Sequence, residues 1–272
     1  MKRMIIAFAL CAPLFVKAQL ADSSQRLVHM QGAINFRDIG GYKTADGHEV
    51  RWGKVYRSAS INKLTDQDME TMKDKHIHIV IDFRGHAESA AAPDRLLPNT
   101  DYTLCYAGSD SIGNDMKSMV AMFKQGNMLD KMYGTEGVQY FGARYKPMFQ
   151  KLLGLKDDES ILYHCTGGRD RTGLATVFLL RILGVPEAKI EEDFVASNVY
   201  LGNMMNGYMK QLAQATGKTE QELADEMKLR PELIQKTFKA IDAKYGSFDV
   251  FAQKELGIGK KEVAVLKKKY TV

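Results

Sequence analysis

Most of the side chains that could carry chemistry lie in one short segment, which reads Tyr163-His164-Cys165-Thr166-Gly167-Gly168-Arg169-Asp170-Arg171-Thr172-Gly173. Arg171 follows Cys165 at the sixth position, and this spacing lets the chain between them curl into a ring with its backbone N–H groups pointing inward. A helix that begins directly after the ring would add unpaired N–H groups and a partial positive charge. The segment therefore predicts a cradle for a tetrahedral dianion such as a phosphoryl group.

The residue types in this segment indicate nucleophilic catalysis at phosphorus. Thiols at helix N-termini beside cations ionise more readily than free cysteine, so we expect Cys165 to attack as a thiolate and to form a phosphocysteine that water hydrolyses. Arg171 can present two N–H groups to two phosphate oxygens and neutralise the charge that spreads in the transition state. Thr172 is placed to hydrogen-bond the sulfur as it leaves. His164 is expected to orient the loop from behind, without a role in proton transfer.

The residues between the cysteine and the arginine are predicted to bind the phosphate. Gly167 and Gly168 let the backbone approach a ligand closely and adopt positive φ. Arg169 adds a second cation to the loop. The predicted phosphate-binding residues are Thr166, Gly167, Gly168, Arg169 and Arg171.

Three other interpretations of the cysteine stay open. Cys165 as a buried structural residue would explain the apolar flanks, but not two arginines and an aspartate beside two glycines. The loop could also belong to an inactive phosphate-binding module. A sulfur-transferring enzyme uses a loop cysteine too, but it has no need of the Arg171-Thr172 pair that opens the helix.

The elements around this segment alternate between strands and helices. Runs rich in β-branched residues predict strands over Lys54–Ser58, His76–Phe83, Tyr102–Tyr106 and Ser160–Cys165. Helices are predicted after Thr65, over Thr135–Leu153 and over Thr172–Leu183, and four more begin near Thr219, Pro231, Ser247 and Gly259. This order predicts an α/β fold with a central, mostly parallel sheet flanked by helices and a helical C-terminal extension.

The first eighteen residues have the three-part pattern of a signal peptide. A basic start at Lys2 and Arg3 precedes an apolar run and a small-residue exit at Ala18. The apolar run is too short to span a bilayer, so we expect export to the periplasm or the medium, with a lipid anchor on Cys11 as the less favoured alternative. Without Lys2, Arg3 and Lys17, the three basic residues of this leader, the formal charge falls from +5 to +2, which gives no support for nucleic-acid binding.

The catalytic segment and three others together resemble a known family. Cys-x-x-x-x-x-Arg followed by Thr is similar to the loop of the cysteine-dependent protein tyrosine phosphatases. Segments 35–42, 52–58 and 82–84 (NFRDIGGY, WGKVYRS and DFR) are similar to hallmarks of a bacterial branch of that family. The resemblance implies one phosphatase domain over residues 19–272, with a catalytic core at about 30–200 and a helical extension at about 201–272. Arg169 departs from the branch, which usually has lysine there.

The residue that protonates the leaving group has two candidates. The resemblance implies Asp170, inside the loop and beside Arg171. Asp82, at the end of a predicted strand, is the competitor, although it could equally anchor Arg171 or a neighbouring loop. Residues 35–42 and Arg57 are expected to brace the loop from below the sheet.

The substrate is predicted to be phosphotyrosine in proteins, with tolerance for phosphoinositides because Arg169 could meet a second phosphate. The alternative is a phosphatase for inositol phosphates or other small esters, which would scavenge phosphate. Because nucleophile, cation and acid all come from the chain, no metal and no organic cofactor are implied. No stable membrane insertion is expected, and the oligomeric state is left open.

Two further features have both a structural and a functional interpretation. Met116, Met119 and Met122 recur at helical spacing, and residues 114–132 form either part of the core or a mobile lid over the site. Cys105 is most simply a small core residue, but it could also trap an oxidised Cys165 as a disulfide.

Overall fold

The apolar, β-branched runs of the sequence form one five-stranded sheet in the computed structural model, which describes residues 25–110, 120–121, 123–124, 126, 128–202 and 206–272. The strands are β1 (Arg37–Asp38), β2 (Val55–Ser58), β3 (Ile77–Asp82), β4 (Asp101–Leu104) and β5 (Ser160–His164). They lie in the order β1-β2-β5-β3-β4, with β1 antiparallel to β2 and all other neighbours parallel. The predicted fold, a mostly parallel sheet flanked by helices, is confirmed.

Eleven helices are described. They are α1 (Asp66–Asp74), α2 (His86–Ala91), α3 (Met128–Tyr133), α4 (Thr135–Gly154), α5 (Asp170–Leu183), α6 (Glu187–Tyr200), α7 (Asn206–Thr216), α8 (Glu220–Met227), α9 (Pro231–Tyr245), α10 (Phe248–Phe251, continued by a π-helical turn over Ala252–Leu256) and α11 (Lys260–Tyr270). At the start of α1, Thr65 accepts a hydrogen bond from the N–H of Asp68, and the Asp68 carboxylate accepts one from the N–H of Thr65. This is the capping box that the sequence predicted.

Several strand and helix ends differ by one or two residues from the sequence-based expectation, and two of these differences concern α5 and β4. Helix α5 begins at Asp170 rather than Thr172, because a carboxylate is favoured in the first turn of a helix, near its partial positive charge. Strand β4 ends at Leu104, so Cys105 and Tyr106 lie beyond it. The N–H of Cys105 still donates to the carbonyl of Asp82, at 2.7 Å.

The C-terminal helices share their apolar core with the sheet. The ring centroid of Phe178 in α5 lies within 5.5 Å of the ring centroids of Phe141 and Tyr145 in α4 and of Phe251 in α10. The final residues also return to the sheet side, where the N–H of Val272 and the carbonyl of Glu49 are hydrogen-bonded. In physical terms, the last third of the chain completes the hydrophobic core that the sheet requires.

A small apolar cluster forms around α7 and α8, and Met128 packs both against it and against the main core. Phe123 packs there with Met209, Leu212, Leu223 and Met227, which belong to α7 and α8. Among the described helices, none is both long and apolar enough to cross a membrane. The predicted signal peptide, residues 1–18, lies outside the described residues.

Candidate active site

The loop that carries Cys165 leaves the middle of the sheet. Strand β5 lies between β2 and β3 and ends at His164, so the loop over residues 165–169 emerges between the carboxyl ends of both neighbours. Helix α5 then begins at Asp170 and presents the unpaired N–H groups of its first turn to the loop. Ligands of open α/β sheets bind at this edge. The strand, loop and helix therefore occur in the order that the sequence predicted.

Only one of the two loop glycines is required by the fold. Gly168 has φ +60°, and a Cβ built on it would lie 2.3 Å from the carbonyl oxygen of Ser58. Gly167 has no positive φ, and a Cβ there would meet nothing closer than the Cβ of Arg169, at 3.9 Å. The expectation of a special backbone conformation is therefore confirmed at Gly168 and wrong at Gly167.

Two buried side chains hold the back of the loop. Asn35 Nδ2 donates to the carbonyls of Gly167 and Gly168, at 3.2 and 2.9 Å, and Arg57 Nη2 donates to the Gly168 carbonyl at 2.9 Å. In a trans peptide the N–H points opposite to the C=O. Fixing these carbonyls on the outer side therefore turns the following N–H groups toward the inside of the loop.

Asp193 of α6 forms ion pairs with two arginines beneath the loop. Its carboxylate accepts from Arg57 Nη1 at 2.6 Å and from Arg37 Nε at 3.0 Å. All three side chains are almost completely buried. Burial opposes ionisation of Asp193, and the charges of Arg37 and Arg57 outweigh it, so the pKa of the carboxyl falls to about 2.

Glu88 of α2 holds the guanidinium of Arg171. Arg171 Nη1 and Nη2 donate to the two carboxylate oxygens, at 2.6 and 2.9 Å. Thr166 Oγ1 donates to the same carboxylate at 2.5 Å. Burial opposes ionisation of Glu88, but the hydrogen bonds and charge of Arg171 lower the pKa of Glu88 below its ordinary value. This fork-to-fork pair fixes the plane of the guanidinium.

Asp170 has both carboxylate oxygens occupied by donors. Tyr133 of α3 donates its hydroxyl to Oδ1 at 2.9 Å, and Arg169 donates Nε–H to Oδ2 at 3.0 Å. Arg169 also donates Nη1–H to the carbonyl of Met227, at 3.0 Å. The side chain of Arg169 is thus buried and bound within the protein. Its direct contact with a phosphate stays a prediction.

Asp82, the competing candidate for the acid, belongs to a different network. Its carboxylate pairs with Arg84 at 2.7 Å and accepts the hydroxyl of Tyr102 at 2.9 Å. Burial raises the pKa of Asp82, but the opposite effect of His164 and Arg84 is larger, so the pKa of Asp82 lies below its ordinary value. The side chain of Asp82 is fully buried, whereas that of Asp170 is 20 % exposed. Both carboxylates pair with an arginine and accept a tyrosine hydroxyl, so the role of Asp170 as the proton donor stays a prediction.

One cluster of potential metal ligands occurs in the described part of the chain. Asp82, Asp94 and His164 have ligand atoms within 4.8 Å of one another. Arg84 Nη2 lies 2.7 Å from Asp82 and 2.8 Å from Asp94, and therefore brings a permanent positive charge to the two carboxylates.

The remaining predicted residues lie directly around the sulfur-bearing loop. Cys165 is buried, with 2 % of its surface exposed. His164 lies behind it, where Nε2 is 3.0 Å from Asp94. Thr172 Oγ1 is buried and has no hydrogen-bond partner among the described residues. The predicted hydrogen bond from Thr172 to the sulfur of Cys165 is therefore not formed in this structure, and the role of Thr172 stays a prediction.

Cys105 lies too far from Cys165 for a disulfide in this arrangement. His164 and Leu104 both pair with Asp82, so the two cysteines follow strands that are separated by β3. Two strand spacings amount to about 10 Å, whereas disulfides need Cα atoms within about 7 Å. Both cysteines are free. The hypothesis of a protective disulfide therefore requires a backbone movement.

The predicted lid lies only partly in the described residues. Met116, Met119 and Met122 are outside them. In the described part, Val120 and Phe123 pack against the cluster formed by α7 and α8. Whether residues 114–132 open and close stays a prediction.

Sequence reasoning missed the residues that hold the predicted ones in place. These are Glu88, Asp94, Tyr133 and Asp193. The one signal for Glu88 is its position six residues after the end of β3, at the sheet edge where the site lies. Tyr133 and Asp193 lie on helices without any local motif.

The tyrosine phosphatase family model matches residues 28–272 of the chain. A protein of Cupriavidus necator, named provisionally as a tyrosine-protein phosphatase, is 27% identical over 246 residues, which cover 87% of this chain and 85% of that protein. The tyrosine-protein phosphatase of Nostoc commune is 26% identical and covers 78% of this chain and 72% of its own. The triple specificity protein phosphatase PtpB of Mycobacterium tuberculosis is 24% identical, over 80% of this chain and 90% of its own.

Proposed function

The chain belongs to the tyrosine phosphatase family, and we propose that it hydrolyses phosphate monoesters through a phosphocysteine on Cys165. One observation carries the proposal. The guanidinium of Arg171 is oriented by Glu88 at the mouth of the loop that Cys165 begins, and the carbonyls of that loop are held outward by Asn35 and Arg57. The result is a preorganised site for a dianion beside a nucleophile.

In the first step, the sulfur of Cys165 forms a bond to phosphorus while the ester P–O bond breaks. The Asp170 carboxyl gives its proton to the departing oxygen, and Arg171 and the loop N–H groups hold the three equatorial oxygens. The alcohol or phenol leaves, and Asp170 is left as a carboxylate.

In the second step, water attacks phosphorus and the P–S bond breaks. Asp170 takes one proton from the water, the electron pair returns to the sulfur, and inorganic phosphate leaves. The hydroxyl of Thr172 has no partner among the described residues, and we propose that it turns to donate to the sulfur as the sulfur leaves. The cycle consumes only the ester and water, and Cys165 and Asp170 both return to their starting state.

We propose that phosphotyrosine in proteins is the preferred substrate. Arg169, the cation that could meet a second phosphate, is already bound to Asp170 and to the Met227 carbonyl. Turnover of phosphoinositides is therefore expected to be slower than turnover of a phosphotyrosine peptide.

The experiment compares the full chain with Cys165→Ser, in the presence of reductant and a chelator. We expect the wild type to hydrolyse a phosphotyrosine peptide and Cys165→Ser to lose at least about 10³-fold in kcat, as enzymes do without their nucleophile. Cys105→Ala is the matched control and should retain activity. Activity that survives in Cys165→Ser would overturn the proposal. Phosphate binding without turnover would indicate a binding module, and thiocyanate formation from thiosulfate and cyanide would indicate sulfur transfer.

We also propose export, on the pattern of residues 1–18. Cells that express the full chain should release a product that begins at Gln19, after Ala18. N-terminal sequencing of the exported fraction checks this. Recovery of the intact chain from the cytoplasm alone would contradict it.

A further inference from the structure

Tyr133 is a buried tyrosine whose hydroxyl reaches the proposed proton donor. It is fully buried at the end of α3, and its hydroxyl donates to Asp170 Oδ1 at 2.9 Å. A buried phenol with no partner would be costly, so phenylalanine would serve better at this position if only packing were needed. The hydroxyl is therefore the part of Tyr133 that requires an explanation.

The position of the Tyr133 ring is fixed from two sides. Its backbone carbonyl accepts the hydroxyl of Thr237 of α9 at 2.8 Å. Its ring packs edge-on against Phe194 of α6, with centroids 5.5 Å apart at 82°. Because α6 and α9 both hold it, the hydroxyl has one direction available, which is toward Asp170.

A hydroxyl suits a group that alternates between acid and base. It donates a hydrogen bond to a carboxylate and accepts one from a carboxylic acid, whereas the guanidinium of Arg169 can only donate. Burial, and then the charge of Asp170, raise the pKa of Tyr133 well above its ordinary value, so its proton stays in place at neutral pH. Tyr133 can thus hold Asp170 in both halves of the proposed cycle.

We infer that Tyr133 is a positioning residue for the reaction: its hydroxyl holds the Asp170 carboxyl in the orientation from which it protonates the leaving oxygen. This inference rests on the proposed function. Through Tyr133, the helical region formed by α3, α6 and α9 sets the orientation of the catalytic acid.

The test is Tyr133→Phe, measured on two esters that differ in their need for an acid. The good leaving group of p-nitrophenyl phosphate departs with little help, whereas that of phenyl phosphate requires protonation. We expect kcat/KM for phenyl phosphate to fall by roughly 10- to 100-fold and that for p-nitrophenyl phosphate by less than about 3-fold, since general acids typically contribute about 10²- to 10⁴-fold. Tyr270→Phe is the matched control, because it removes a buried hydroxyl that donates to Leu152 of the core.

A double variant separates positioning from packing. If Tyr133 acts through Asp170, Tyr133→Phe in an Asp170→Asn background should add no further loss on phenyl phosphate. Equal losses on both esters, or an additive loss in the double variant, would overturn the inference. Suppose that Asp170→Asn loses activity mainly on phenyl phosphate, while Tyr133→Phe keeps wild-type kcat/KM on both esters. That result would overturn the inference about Tyr133 and leave the proposed function intact. If Asp170→Asn shows no leaving-group dependence, the assignment of the acid fails, while Cys165→Ser still tests the nucleophile independently.

Discussion

At the scale of single residues, Glu88 decides where the guanidinium of Arg171 points. An arginine side chain has several rotatable bonds, and a charge alone would not set its plane. The two oxygens of Glu88 bind Nη1 and Nη2 and remove that freedom before a substrate arrives. The Nε–H edge of Arg171 is bound by none of the described residues and is therefore free to receive phosphate oxygen.

We predict that Glu88→Gln lowers kcat/KM for p-nitrophenyl phosphate by about 10- to 100-fold, because Arg171 stays in place but loses its fixed orientation, whereas complete removal of such a donor costs about 10²- to 10³-fold. The glutamine amide places an N–H group against an N–H group of Arg171, so the guanidinium no longer keeps its orientation. Steady-state kinetics checks the prediction. Glu192→Gln, in an exposed ion pair with Lys189, should be neutral, and wild-type kcat/KM in Glu88→Gln would contradict the argument.

Cys105 illustrates how burial removes reactivity. Burial, and then the negative charge of Asp82, raise the pKa of its thiol to about 12, so it stays protonated at neutral pH. Thiol–disulfide chemistry proceeds through the thiolate. Both its protonation and its distance from Cys165 oppose the role of a resolving cysteine.

After mild peroxide, we therefore expect no disulfide between Cys105 and Cys165. Peptide mapping without reductant is the direct measurement. Peroxide should inactivate Cys105→Ala at the same rate as the wild type, and reductant should restore the activity of both to the same extent. A peptide that joins the two cysteines would show that the backbone moves to bring them together.

At the scale of elements, Asp193 ties α6 to β1 and β2 beneath the catalytic loop. The carboxylate pairs with both Arg37 and Arg57, and Arg57 in turn holds the Gly168 carbonyl. Removing one partner of a buried ion pair leaves an uncompensated charge in a medium of low polarity. The stability of the sheet edge and the shape of the loop therefore depend on the same carboxylate.

Asp193→Asn should lower the free energy of unfolding by about 3–5 kcal/mol at neutral pH. The pKa of Asp193 is lowered in the folded protein to about 2, so its stabilising contribution is present above about pH 4 and is lost as the pH falls toward 2. The difference between wild type and variant, measured by urea denaturation, should shrink across that window. Asp158→Asn, at an exposed position, is the control. A difference that does not change with pH would contradict the argument.

At the scale of the whole molecule, the C-terminal helix is part of the main core. Leu266 and Tyr270 of α11 are buried in the same cluster as Phe178 and Phe251. Thr271 forms a bridge to Val50, near the start of the described chain. The last residues of the chain are therefore tied to the segment around Val50.

Neighbouring residues of α11 provide a matched comparison of burial. Leu266 is completely buried, whereas Val265 is 42% exposed. Leu266→Ala should lower the free energy of unfolding by about 2–5 kcal/mol, because it removes apolar contacts and leaves a cavity. Val265→Ala should change it by less than about 0.5 kcal/mol. Urea denaturation of both variants checks this, and equal effects would show that α11 is not packed as described.

The sequence by itself determined the features that depend on local chain order. The spacing from Cys165 to Arg171 predicts the loop, and the β-branched runs around it predict the parallel sheet. The capping box of Thr65 and Asp68 fixes the start of α1 without any distant contact. These features could be predicted because each depends on residues only a few positions apart, whose geometry the backbone constrains.

Only the tertiary structure decided which side chains orient the catalytic ones. Glu88 lies 83 positions from Arg171, Tyr133 lies 37 from Asp170, and Asp193 lies 136 from Arg57. Such pairs depend on how helices pack against the sheet, which no short-range pattern encodes. The same holds for the surroundings of Asp82 and Asp170, since two aspartates look alike in sequence while their burial and partners differ in the fold. Charge balance in a buried site is settled by packing, and packing is a property of the whole chain.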